Sequence, residues 1–95
     1  DWNLLGGVRM IGRKLIANYG YGSVHRGVVC GFKTTTIKRL NESIQELLIY
    51  WSEAGESSGT TSWLPECVIL KKGEKYEWPH TNRRGEQMGF FWEAA

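Results

Sequence analysis

Short apolar runs, each broken within a few residues by Gly, Pro, Asn or a charge, set the pattern of this chain, and none keeps a helical period for long. Basic and apolar residues alternate in "VRMIGRKLIA", which predicts a strand from about Val8 to Ala17 with a bulge or bend at Gly12. "NYGYG" (18–22) has turn chemistry, because Asn and Gly accept positive φ. The next strand is "SVHRGVVCGF". Alternation puts Val24, Arg26, Val28 and Cys30 on one face, and His25, Gly27, Val29 and Gly31 on the other. Glycines gathered on one face mark a place where another backbone or a sharp coil comes close.

"KTTTIKRLNESIQELLIYW" is two-sided. Ile37, Leu40, Ile44, Leu47 and Leu48 suit a helical spacing, and a short helix near 40–47 is the alternative reading. "TTTI" and "LLIYW" have strand composition, however, with "NES" as a turn between them. We therefore read strand or loop to Leu40, a turn at 41–43 and a strand from about Gln45 to Trp51. An acidic hairpin loop, "SEAGESSGTT", follows; "TSW" then predicts a strand, Pro65 a break, and "CVILK" a further strand. "GEKYEWPHTNRRGEQ" is loop-like, and "MGFFWEAA" forms a last strand or a packed aromatic tail. Short strands with frequent turn signals predict an all-β protein, a small barrel of five to six strands.

Ninety-five residues make one domain, 1–95, whose end from about 76 to 95 reads as an aromatic extension. Twelve aromatic residues, five of them Trp, allow a compact core to be built from few side chains. The net charge of +2 conceals an asymmetry: residues 1–40 carry seven basic groups against one Asp, and residues 41–95 carry five against nine Glu. Such a split marks an anionic partner for the first half, unless strands of the two halves interleave and mix the signs. No apolar run approaches the roughly 20 residues that span a bilayer, and no leader pattern opens the chain. The expectation is no membrane partner and an intracellular location, cytoplasmic or nuclear. Cys30 and Cys67 sit in strand-like contexts and read by default as buried free thiols, a single bridge between them being the alternative.

Catalysis finds little to work with. His25, His80, Cys30 and Cys67 have no metal-ligand spacing, and Ser23 near His25 lacks a third group to orient a base. No phosphate-binding loop is present, and "GGVRMIG" lacks the strand-then-helix context of a dinucleotide site. We expect no enzyme, no metal and no cofactor.

From Gly20 to Lys72 the chain resembles the chromo-barrel and Tudor-like domains of the SH3-like barrel group. The resemblance rests on an aromatic loop leading into "VHRGVV", a later strand "LLIYW", an acidic loop, and the closing "SWLPECVIL". It implies an SH3-like barrel with an aromatic cage for methylated lysine, since a methylated ammonium is drawn to ring faces. By position, Tyr19 and Tyr21 would come from the first loop, His25 from the strand after it, and Tyr50 and Trp51 from the third strand. Trp63 would follow the acidic loop, and Glu53 or Glu56 would add a carboxylate. The Gly-Trp pair usual after the third strand is replaced by "WSEAGE". Tyr50 and Trp51 are adjacent and face opposite sides of a regular strand, so only one can join a cage. The chain is also similar in architecture to the plasmid-encoded type II dihydrofolate reductases, but their Val-Gln-Ile-Tyr motif is missing.

The reading is a non-enzymatic recognition module with an aromatic rim, taking a peptide or protein that presents a methylated lysine or another cationic or apolar group. One alternative is a nucleic-acid-binding barrel using Arg9, Arg13, Lys14, Arg26, Lys33, Lys38 and Arg39, with Tyr19, Tyr21 and Phe32 as stacking surfaces. Another is an oligomeric interaction protein of mobile-element type, a homodimer formed through "GFFWEAA".

Overall fold

The computed structural model describes residues 6–71, Glu74 and 81–93. One helical turn, α1 (Gly7–Met10), precedes six strands: β1 (Lys14–Asn18), β2 (Val24–Ile37), β3 (Glu42–Glu53), β4 (Thr61–Pro65), β5 (Ile69–Leu70) and β6 (Gly89–Trp92). They form a single sheet in the order β4-β3-β2-β1-β6-β5, curled into a half-barrel. Neighbours are antiparallel except β5 and β6, which run parallel. The protein is therefore mostly β, as its short strands and frequent turns predict. β4 and β5 remain the two edges, joined through a 3-10 turn at Glu66–Val68.

The core lies on the concave face. Leu15 and Ala17 of β1, Val29 of β2, Leu47, Ile49 and Trp51 of β3, Ile69 of β5 and Trp92 of β6 are buried together with Ala54. Burying an aliphatic or aromatic side chain of this size contributes about 1.5–3 kcal/mol. The period-2 alternation of Leu47, Ile49 and Trp51 delivers three of these from one strand.

Several elements depart from expectation. Residues 8–10 are helical, not the start of a strand: Ile11 N–H donates to Val8 O and Arg13 N–H to Met10 O, which turns Met10 onto the core. The regular ladder begins at Lys14; just before it Gly12 N–H donates to Val29 O and Val29 N–H to Arg13 O, so Gly12, at φ +91°, and Arg13 oppose one residue of β2 and form the bulge expected at Gly12. The helix considered near 40–47 is absent. A 3-10 turn spans Lys38–Leu40, Asn41 takes the left-handed conformation, and β3 begins at Glu42. The turn thus sits earlier than "NES", where a left-handed Asn closes it.

Two register shifts interrupt the β2–β3 ladder. Val29 pairs with Ile49 but Gly31 with Leu48, so Cys30 is the extra residue on β2. Gly31 thereby crosses to the outer face with Leu48, and Phe32 turns inward to pack on the core. Cys30 is exposed, its thiol 3.5 Å from Leu48 O, and Cys67 is exposed in the 3-10 turn after Pro65; both are free thiols, and neither is buried as expected. At the second shift Arg26 pairs with Glu53 and Gly27 with Trp51, leaving Ser52 as the extra residue on β3.

The aromatic C-terminal segment is no appendage. β6 lies between β1 and β5 and sends Trp92 into the core, with the Arg13 guanidinium 4.1 Å from the Trp92 ring. The stretch 75–80 of the expected loop, including His80, lies outside the described residues.

Candidate functional site

One end of the half-barrel gathers the β1–β2 turn, the β3–β4 loop and the segment entering β6. Here four rings meet in a closed circuit. Tyr19 lies 4.8 Å from His25 and 6.4 Å from Phe90, and Trp51 lies 6.4 Å from each of His25 and Phe90. Three of the contacts are edge-to-face and the fourth is tilted. Each ring comes from a different part of the sheet: the end of β1, the start of β2, β3 and β6. Tyr19 is 50% exposed and Trp51 only 7%, so the quartet grades from solvent into the core.

Local chemistry holds each member. At Tyr19 the turn closes by Tyr19 N–H to Ser23 O and Ser23 N–H to Gly20 O, while Asn18 Oδ1 accepts from Gly20 N–H. The Asn18 amide donates to Gln87 O, tying this turn to the segment before β6. Trp51 is fixed by Nε1–H donating to Ser62 Oγ at 2.7 Å, and by backbone bonds to Gly59 and Thr60 of the acidic loop. That loop is folded back on itself, with Ala54 N–H donating to Ser58 Oγ and a 3-10 turn at Gly55–Ser57.

Of the rim residues read from the sequence, Tyr19, His25 and Trp51 come together here. Tyr21 stands on the same turn, exposed and outside the quartet. Tyr50 and Trp63 lie on the opposite, outer face: Tyr50 alternates with buried Ile49 and Trp51, and Trp63 pairs with outer-face Leu48. Lys33 Nζ sits 4.2 Å from the Trp63 ring centroid there. Glu53 also leaves the rim. The extra residue Ser52 reverses its side, and its carboxylate lies 3.7 Å from Arg26 Nη1 on the outer face. Glu56 is exposed in the 3-10 turn of the β3–β4 loop. The fourth ring, Phe90, has no signal of its own in the sequence: "GFFW" offers two adjacent Phe residues, and only the pairing of Phe90 with Ala17 places one of them.

Of the seven basic residues of the N-terminal half, Lys14 and Arg26 line one outer-face groove together with Glu53 and Glu93, and the other five do not join them there. Arg13 rests on Trp92, Lys33 on Trp63, and Arg26 lies between Glu53 and Glu93 at 3.7 and 3.9 Å. Lys38 and Arg39 are in the β2–β3 turn, at the other end of the strands from Tyr19, and Arg9 is exposed on α1. Phe32 is half-buried and packs against the core. Arg26 and its two carboxylates show that the halves of the chain do mix their charges across the sheet. Arg26 and Glu93 border an outer-face groove of about 620 Å³ whose apolar wall includes Ile16, Val24 and Phe91.

Among the described residues no group of three or more His, Cys, Asp or Glu side chains is placed to hold a metal ion, and no helix is long and apolar enough to cross a membrane. No family model matches the chain, and no curated protein or solved structure matches it either.

Proposed function

We propose that this domain is a non-enzymatic recognition module of the SH3-like, Tudor or chromo-barrel kind, and that its quartet receives a methylated ammonium group presented by a peptide. The observation that carries the reading is the closed circuit of Tyr19, His25, Trp51 and Phe90 at one end of the half-barrel. Rings supplied by four separate strand ends are costly to bring together by chance, and a cation that has lost its hydration is attracted to their faces. Tyr19 is the entry, being half exposed on a turn pinned by hydrogen bonds. With Glu53 turned to the outer face, selectivity rests on ring faces, which favours a trimethylated over an unmethylated ammonium. The competing role for the quartet is packing alone, since ring pairs of this geometry contribute about 0.5–1.5 kcal/mol each to folding.

The test is an NMR titration of labelled protein with a trimethyl-lysine peptide and its unmethylated counterpart. Shifts confined to the four ring residues, seen only with the methylated peptide and lost in Tyr19→Ala, are expected. A folded Tyr19→Ala protein with unchanged affinity would falsify the reading.

A further inference from the structure

Beside the quartet, Tyr21 takes the first central position of the Gly20–Ser23 turn, closed by Ser23 N–H to Gly20 O, whose type I′ geometry sets positive φ at both Tyr21 and Gly22. Its φ is +53°, the left-handed region that favours Gly or Asn, and it lies between Gly20 and Gly22. Holding a non-Gly residue there costs on the order of 1 kcal/mol. No core packing offsets that cost, because the Tyr21 side chain is 59% exposed.

The segment 81–87 is fastened against this turn. Asn82 Oδ1 accepts from Arg84 N–H and Glu86 N–H, and Glu86 Oε1 accepts from the Asn82 amide and, at 3.4 Å, from Tyr21 N–H. A Cβ on Gly20 would come within 2.5 Å of Asn82 Nδ2, so the two segments are in direct contact. This fastening delivers two adjacent exposed arginines to the tyrosine. The Arg84 guanidinium lies 5.7 Å from the Tyr21 ring centroid, and Arg83 has no ion-pair partner among the described residues. Glu86, 3.8 Å from Arg84, is occupied by Tyr21 N–H and the Asn82 amide, leaving the patch with a positive excess.

We propose that Tyr21, Arg83 and Arg84 form a surface for single-stranded nucleic acid, with an unstacked base on the Tyr21 ring and phosphates on the two guanidinium groups. A projecting ring face pairs with a base face, which a duplex keeps stacked inside and a single strand offers. The arginines supply the counter-charge to the backbone. An acidic peptide would use the arginines and leave the ring unused. The surface is distinct from the basic set of the N-terminal half, of which the fold brings Lys14 and Arg26 into one groove and leaves the other five apart from it. It stands independently of the quartet's ligand.

The experiment is fluorescence anisotropy of labelled dT12 and of an abasic oligomer of equal length, over a salt series, with wild type, Tyr21→Gly and Arg83→Ala/Arg84→Ala. Glycine is the native preference at this φ, so Tyr21→Gly keeps or raises stability while removing the ring. Wild type is expected to bind dT12 in preference to the abasic oligomer, with Tyr21→Gly weakening dT12 by about tenfold or more. Replacing both arginines should lower the slope of log affinity against log salt by about 1.4, the value for two contacts on a single strand. Equal binding of the abasic oligomer, undiminished binding by Tyr21→Gly, or no binding of dT12 at low salt overturns the proposal. None of these outcomes bears on the methylated-peptide titration.

Discussion

Gly27 and Trp51 face each other across the β2–β3 ladder with no room for a methyl group between them. A Cβ on Gly27 would lie 2.9 Å from the Trp51 ring, 2.6 Å from Ile49 Cγ2 and 3.1 Å from Tyr50 O. Close approach of the two strands at this point seats Trp51 against β2, with its ring 6.4 Å from both His25 and Phe90. Gly27→Ala must push β3 away or displace Ile49 and Trp51, at a cost of about 1–3 kcal/mol. Urea unfolding should show that loss with little change in slope; an unaltered midpoint would mean that the ladder gives way freely.

Trp51 is positioned by its indole as well as by packing. Ser62→Ala removes the acceptor of Nε1–H in a part-buried site, and about 0.5–1.5 kcal/mol should go with it. Placed on Trp51→Phe, which has no N–H to satisfy, the same substitution should cost little. A double-mutant cycle by thermal unfolding gives the coupling directly, and a coupling near zero would show that the bond contributes nothing.

Removal of residues 89–95 takes out β6, and with it buried Trp92 and the ring of Phe90. β1 and β5 are then separated by an empty strand position, since they meet only through β6. We expect the truncated chain to lose cooperative thermal unfolding and near-UV circular dichroism. Retention of both would show that β5 can pair with β1 unaided.

Arg26 is the opposite case. It is bracketed by Glu53 and Glu93, but both contacts are near 4 Å and its side chain is half exposed. Arg26→Ala should change stability by about 1 kcal/mol or less, and the change should shrink further in high salt. A larger, salt-independent loss would point instead to packing of its stem over the outer-face groove.

Strand content, the turn at 18–22, the loop at 52–61 and the strand at 45–51 were legible because they depend on local chemistry. Period-2 alternation and residues that tolerate positive φ are properties of a few consecutive positions. The glycine at 27 could likewise be read as a close approach, since it shares a face with Val29 of the core.

The membership of the site was not legible in that way. Alternation places Glu53 beside Trp51, and one unpaired residue, Ser52, reverses it to Arg26. The same device at Cys30 moves Gly31 outward and Phe32 inward, so counting by twos along β2 and β3 fails beyond each bulge. A bulge is settled by how two strands pair, and pairing is a relation between distant segments that neither segment encodes alone. Phe90 and Arg84 reach the β1–β2 turn for the same reason: β6 pairs with β1 across more than seventy positions of chain. Local patterning specified which residues could be strands and turns. Long-range pairing chose which rings and charges would meet, because only closing the sheet brings its first strand beside its last.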